Sequence, residues 1–554
     1  MSDVDVVVIG SGAGGLTAAV ALAQAGKSVL VLEQHDVPGG WCHSFRLGGH
    51  MFSPGVHYIG ECGPEGRMRK IWEGLGIAND LLMLELNPDG YDHVVVGKGP
   101  EQQRFDIPKG RETYAERLKE RFPKEARGIE RYLSTVEAIV RDMEVLTQHR
   151  GPLAPLALPF RAPSLVRWGL RPVRALLDAC VQDPLLRTIL TIQAGDHGLG
   201  PEDVPAAVHA SVQQHYFGGG WYPRGGGAAI PRALVKAHNR AGGNIRVKAT
   251  VDRILVEQGR TIGVRMADGE EIRANVVLSN ADPGITYGRL MAPADVPAAV
   301  SRKLAKTKWS ISCLSLYMAA DVDPTAMGLD SGNLWYSAGT DVQAGYRLAE
   351  AASFDLEEFP GQFLTCTTRK DPSKGLGSSQ TFESFVFVSH DAFRRWAHTR
   401  YGERPADYAA YKEDLTTKML RTVDRYVPGL SERVTFRELG TPLTNAHYVM
   451  ATRGNLYGTE KSLWQIGPFA WPLRTPVPGL YMCGASTTSH GVMGATMSGL
   501  QAAARVLGVR SESLLHASNQ HLRTLPSDDL SAWPDELKRR VAQKQPAEVG
   551  DDAT

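Results

Sequence analysis

Much of what commonly explains a chain of 554 residues is missing from this one. It has no apolar run long enough to cross a bilayer as a helix. Its six cysteines, Cys42, Cys62, Cys180, Cys313, Cys366 and Cys483, include no C-x-x-C pair, so neither a zinc ribbon nor a disulfide framework organises the fold. Lysine plus arginine number 61 against 60 acids, a net charge of +1. That balance offers no electrostatic case for nucleic acid. No Ser-His-Asp arrangement and no metal-ligand spacing stands out. Acidic residues and a strand signal follow Met1 directly, without a signal-peptide pattern, so the expected location is the cytoplasm, with residence on a membrane surface left open. What remains is a soluble-type composition, 43% hydrophobic and 22% charged, at a length that calls for two or more domains.

The organising stretch runs from Val6 to Glu33. Val6 to Ile9 reads as a buried strand, and Gly10, Gly12 and Gly15 form G-x-G-x-x-G. Leu16, Ala19, Val20, Leu22 and Ala23 then recur at helical spacing, and a second apolar run, Val29 to Leu32, ends in Glu33. Strand, glycine turn, helix, strand and acid fill the span of one βαβ unit. Gly10 permits the turn, Gly12 lets a pyrophosphate approach, and Gly15 lets helix and strand pack. Ala13 and Gly14 open the helix, whose free N–H groups favour phosphate. Glu33, with Gln34 beside it, is placed to accept hydrogen bonds from a ribose diol and disfavours a 2′-phosphate. FAD and NAD both fit; NADP fits less well.

A second glycine pair, Gly39-Gly40, follows a few residues later, then Trp41. The pair resembles the second fingerprint of two-dinucleotide-binding-fold flavoproteins, which include amine oxidases, protoporphyrinogen oxidases and phytoene desaturases. The resemblance implies FAD rather than NAD. Many members carry arginine where this chain has Trp41. Phe52-Ser53-Pro54-Gly55-Val56-His57-Tyr58-Ile59-Gly60 is similar to an F-D-T-G-I-H-Y-I-G element of the carotenoid isomerase and all-trans-retinol saturase branch of the phytoene desaturase family. Ser53-Pro54 replaces Asp-Thr, whereas His57 is kept, either as a catalytic group or as a hydrogen-bonded core histidine. Gly195-Asp196-His197-Gly198-Leu199 and Tyr222-Pro223-Arg224-Gly225-Gly226 resemble further pieces of that branch; the second reads as a cavity wall or as a structural turn.

From residue 244 onward four short strand signals lead to Ser279-Asn280-Ala281-Asp282. The family resemblance places backbone at Val251 against adenine. Gly454 to Glu460 resembles an element near the substrate cavity, with Tyr457 and Glu460 as candidate proton donors; a loop tyrosine and a surface ion pair are the plainer readings. Gly479 to Ser486 reads as a strand ending at Gly484. The helix that follows carries Met493 and Gly494, and its N-terminus would face the flavin. Where relatives have an acid after the strand, this chain has Ala485-Ser486. His490 is another candidate acid.

The resemblance covers Val6 to about Leu507. It implies an α/β fold: a Rossmann-like FAD-binding domain from discontinuous segments (1–85, 225–295 and 471–510), and an α+β substrate domain with a mixed sheet and helices (86–224 and 296–470). Residues 151–177 contain no acid, and alternate leucine, phenylalanine and tryptophan with Arg161, Arg167, Arg171 and Arg174 between prolines. They read as an interfacial segment touching anionic lipid or as a proline-broken core region. The tail 525–554 reads as loosely attached.

The implied activity is an FAD-dependent oxidoreductase that saturates or isomerises a C=C bond of a long apolar polyene, carotenoid-like or retinoid-like. His57, Tyr457 and Glu460 are its candidate catalytic residues. A phytoene-type desaturase, a flavin amine oxidase and a prenyl-binding escort without FAD are the alternatives. The intact glycines and Glu33 argue against the escort.

Overall fold

The computed structural model describes residues 3–148, 154–516 and 519–543. Its first sheet has seven strands from widely separated parts of the chain. Val4–Ile9 lies at its centre, parallel to Val29–Leu32 on one side and to Glu271–Ser279 on the other. Asn244–Arg246 extends one edge and Leu480–Met482 joins the end of Glu271–Ser279, both in parallel. Val6 to Ile9 and Val29 to Leu32 are buried throughout. A parallel sheet covered on both faces needs such continuous apolar runs rather than alternation. Glu271–Ser279 changes role along its length: its start pairs antiparallel with Arg260–Met266, its end parallel with the centre.

The helices Ala13–Gln24, Ala229–Arg240 and Gly491–Leu507 share one apolar core against this sheet. Their alanines and glycines make the contact close. A Cβ on Gly15 would lie 2.2 Å from the Gly10 carbonyl oxygen, so only glycine fits there.

The second sheet, also of seven strands, has the order Val434–Gly440, Ser312–Asp321, Ser379–Val388, Gly361–Cys366, Asn333–Ser337, Asp92–Val96, Gln103–Ile107. All its pairings are antiparallel except Asn333–Ser337 with Asp92–Val96. Helix Ala406–Asp424 belongs to the core on one side of it. Helices Ala126–Gln148 and Ala206–Tyr216 belong to another core that Trp335 and Phe363 join from the sheet.

Two expectations need correction. The stretch from Leu525 is not loosely attached as far as it is described. Arg523–Pro526 pairs in parallel with Leu82–Glu85. Trp533 is buried, its Nε1–H donating to the Pro526 carbonyl at 2.6 Å. Asp528 takes a hydrogen bond from Ser331 and an ion pair from Arg369 at 3.2 Å. Tertiary contacts made by one tryptophan and one aspartate outweigh a composition poor in apolar residues.

The segment 151–177 is also more ordered than a proline-broken stretch suggests, with helix Ala154–Arg161, a π-helical turn Leu165–Gly169 and helix Val173–Cys180. Asp142 anchors it by accepting from the Ser164 and Leu165 N–H groups. Leu153 lies outside the described residues, as does the Leu156 side chain. Among the described residues, no helix is long and apolar enough to cross a membrane.

Candidate active site

The glycine loop leads the chain out of Val4–Ile9 into a helix that starts at Ala13 with no side-chain cap. Its first N–H groups are therefore free to bind an anion. Glu33, at the end of the neighbouring strand, is buried and ties this loop to the next one. Its Oε2 accepts from the Ser11 N–H at 2.9 Å and the Ser11 hydroxyl at 2.5 Å; its Oε1 accepts from the His35 N–H at 2.9 Å. The Ser11 hydroxyl oxygen in turn accepts from the Gly39 N–H at 3.0 Å. Gly39 sits at φ +136°, a region open to glycine, which turns the chain back over the first loop.

The third element comes from far along the chain. Cys483 and Gly484 end a strand beside Asn280, whose side chain reaches toward the glycine loop; a Cβ on Gly12 would lie 2.6 Å from Asn280 Nδ2. Gly491–Leu507 then begins with no side-chain cap. Two uncapped helix N-termini thus meet in one groove, and both favour negative charge. Ser486, the substitute for the expected acid, accepts from the Thr459 N–H at 3.3 Å.

These elements line one cavity of about 1190 Å³. Gly10, Gly12, Ala13, Gly14, Glu33, Gln34, Gly39, Gly40, Trp41, Val251, Gly484, Met493 and Gly494 all lie on its wall. Gly15 does not; it stands behind the loop and serves packing, as its spacing implies. The volume exceeds the upper end usual for a single small-molecule pocket, roughly 1,000 Å³. It has room for a dinucleotide and a second ligand. A carboxylate for a ribose, two open helix ends for phosphate and flavin, and glycine backbone between them are a donor set that fits FAD.

Beyond the groove the lining of the same cavity is mostly apolar. Val140, Met143, Leu158, Leu165, Val208 and Val212 line it. Leu165, Val166 and Leu170 bring the segment 151–177 to its wall, and Val166 and Leu170 are exposed as well. Trp464 and Phe469, both exposed, line it too.

The three candidate catalytic residues separate. His57 lies on the wall; its Nδ1 is 3.1 Å from Glu383 Oε2, and its ring packs on Phe363 and Phe385. This histidine is hydrogen-bonded to Glu383 and at the same time faces the cavity. Tyr457 also lies on the wall, its hydroxyl donating to the Gly195 carbonyl at 2.8 Å, and burial pushes its phenol far above the ordinary range. That proton is already engaged. Glu460 is a correction: it lines a separate pocket of about 120 Å³ with Asp203 and Arg453. The cause is strand alternation. Thr459 bridges Trp309 in extended backbone, so Lys461 faces the cavity and Glu460 the opposite side.

Four further groups carry weak sequence signals. Ser11 is only the variable position between two glycines. Glu383 lies 326 residues from His57. Lys461 is buried, donates to the Ala485 carbonyl at 2.5 Å and is pushed down to about 7 by burial. Asp196, in the quoted Gly195-Asp196 element, lies on the wall with its Oδ2 2.8 Å from the Tyr58 hydroxyl. His490, immediately before helix Gly491–Leu507, donates from Nε2 to the Asp196 carbonyl at 2.8 Å; burial holds it down at about 3, so it is neutral and no acid.

A profile of the flavin-containing amine oxidoreductases matches residues 13–507. The all-trans-retinol 13,14-reductase of Danio rerio is 31% identical over 531 residues, covering 91% of this chain and 86% of that one. The chloroplastic prolycopene isomerase of Arabidopsis thaliana is 27% identical over 515 residues, covering 91% and 82%. Among solved structures, an oxidoreductase from Methanosarcina mazei superposes with a TM-score of 0.61 at 17% identity, over 90% of this chain and 99% of that one.

Proposed function

Because this chain belongs to the flavin-containing amine oxidoreductase family and uses FAD, we propose that it reduces or isomerises a carbon–carbon double bond in a long polyene of retinoid or carotenoid type. The observation that carries this reading is the continuity of the cavity. One wall begins at Glu33 and the glycine loops and continues, without a break, into the apolar stretch lined by Val140, Leu158 and Val212. The names of its relatives, a retinol reductase and a prolycopene isomerase, point to the same substrate class.

FAD, when bound, supplies hydride and electron chemistry. The chain holds and orients the rest. Glu33 and the Gly10–Gly14 loop seat the adenosine half, and the open end of Gly491–Leu507 favours negative charge at the redox end. The apolar wall aligns the polyene and keeps bulk water from the reacting carbons. His57 is held by Glu383 as a group able to take or give a proton at the cavity surface.

Residues 158–171 are part of the same proposal, as a contact with anionic membrane from which an apolar substrate enters. Phe160 is 88% exposed, and Arg161, Arg167 and Arg171 form no salt bridge among the described residues. Arg167 and Arg171 lie over the Trp168 ring instead, whereas Arg174 pairs with Glu202.

The deciding experiment is anaerobic incubation of the holoprotein with all-trans-retinol and with a carotenoid, FAD oxidised in one arm and reduced in the other. Saturated or isomerised product in the reduced arm is expected. Product in the oxidised arm alone overturns the reading in favour of desaturation, and a purified protein without flavin absorbance overturns it altogether. Flotation with phosphatidylserine vesicles tests the membrane contact: replacing Arg161, Arg167 and Arg171 by glutamate should abolish binding, and unchanged binding refutes it.

A further inference from the structure

Addition of hydride to one carbon of a double bond needs a proton at its neighbour, and of the candidates found in the sequence all but His57 supply it poorly. The Tyr457 hydroxyl is engaged in a hydrogen bond to the Gly195 carbonyl, Glu460 faces another pocket, and His490 is neutral and bound to Asp196. Asp196 itself is on the cavity wall. Its backbone is clamped at two successive carbonyls, Gly195 by Tyr457 and Asp196 by His490. Its carboxyl group ends a buried chain: Asp196 Oδ2, the Tyr58 hydroxyl at 2.8 Å, and Asp92 Oδ2 at 3.2 Å from that hydroxyl.

One phenolic proton stands between two carboxyl groups, so the chain cannot carry two full negative charges cheaply. The partners decide which keeps the charge. Asp92 accepts from Asn333 Nδ2 at 2.8 Å and Gln193 Nε2 at 2.9 Å, both of which stabilise an anion. Among the described residues, Asp196 has only Tyr58 on its carboxyl group.

We propose that Asp196 is the proton donor of this site, delivering its carboxyl proton to the carbon adjacent to the one that receives hydride. The assignment rests on the reduction reading above. Electrons and atoms balance: reduced flavin provides the hydride and both electrons and is oxidised, the π bond becomes two C–H bonds, and the Asp196 O–H bond breaks to leave a carboxylate. The Tyr58 hydroxyl holds that carboxylate until water entering the cavity returns the proton.

The surroundings keep the acid neutral beforehand. Burial first, and then the Asp92 charge, push Asp196 up to about 8. The other titratable groups facing it are phenols, Tyr58, Tyr91, Tyr216, Tyr346 and Tyr457, all pushed upward by burial, with neutral His490 on its backbone. None of these is a cation that would draw the proton off.

The test compares wild type, Asp196→Asn and Tyr58→Phe as FAD-loaded proteins. Infrared difference spectra without substrate, between pH 6 and pH 10, should show a protonated-carboxyl band that disappears near pH 8 in wild type and is missing in Asp196→Asn. With reduced flavin and all-trans-retinol, Asp196→Asn should keep flavin absorbance and retinol binding but reduce about 100-fold more slowly. Wild-type turnover should fall as pH rises through about 8. Tyr58→Phe, losing a hydrogen bond that favours the carboxylate, should move that limb to higher pH. Equal rates and an equal pH profile in Asp196→Asn, or an unchanged carboxyl band, overturn the assignment while the reduction reading stands. Failure of wild type itself to reduce the polyene overturns both.

Discussion

Lys370 Nζ donates to the main-chain carbonyl of His57 at 2.6 Å, holding from beneath the segment that presents the imidazole to the cavity. It also donates to Asn333 Oδ1 at 2.5 Å. Lys370 is completely buried, and burial pushes it down to about 7 although Glu383 and Asp92 lie close enough to raise it. The unfolded chain, with this lysine near its ordinary 10.5, binds more protons than the folded one between about pH 7 and 10. This residue's contribution to stability therefore rises with pH across that window and is lost as pH falls through 7. The slope is at most about 1.4 kcal/mol per pH unit. Thermal midpoints of wild type and Lys370→Met over that range should diverge with this sign; parallel curves would contradict it.

Glu33→Gln should weaken FAD binding. The carboxylate organises Ser11 and His35 and remains on the groove wall for a ribose. Hydrogen bonds to a charged acceptor are worth about 1.5–3 kcal/mol, so the dissociation constant should rise roughly 10- to 100-fold. Fluorescence titration of the apoprotein with FAD measures it, and an unchanged constant would rule out the ribose contact.

Tyr457→Phe and Glu460→Gln should differ. Losing the Tyr457 hydroxyl frees the Gly195 carbonyl beside Asp196, at a cost of about 1 kcal/mol, and turnover should drop several-fold without vanishing. Glu460, which lines the separate pocket, should leave turnover within a factor of two of wild type. Steady-state kinetics on the preferred polyene checks both; a severe loss in Glu460→Gln would return that residue to the active site.

Trp533→Ala should destabilise the protein by about 3–5 kcal/mol. The indole is 2% exposed and closes the turn after a strand that completes the small sheet with Leu82–Glu85 and Trp221–Pro223. Chemical denaturation of the holoprotein reads the change. A difference below about 0.5 kcal/mol would mean that this part of the chain is dispensable.

The cofactor end of the site was largely legible in the chain. G-x-G-x-x-G, Glu33 and Gly39-Gly40 are close in sequence because a βαβ unit is a local structure, and each glycine answers a local backbone need. The catalytic end was not. Asp196 and Tyr58 lie in segments that resemble the family, yet nothing local links residues 138 positions apart through one hydroxyl. Glu460 points away from the cavity because the face to which an extended residue points depends on register, which Trp309 and Thr459 set across 150 residues of intervening chain. The tail after Leu525 was misjudged because composition averages over residues, whereas two specific side chains, Asp528 and Trp533, hold it.

By itself the sequence determined the α/β core, the dinucleotide groove and the family, because hydrophobic period and glycine spacing act within tens of residues. Tertiary structure alone decided which polar groups share the cavity. It set Glu383 against His57, gave Asp92 two amide donors and Asp196 none among the described residues, and turned Lys461 inward and Glu460 away. Burial then fixed their protonation, since the cost of a charge depends on what surrounds it in space and not on its neighbours along the chain.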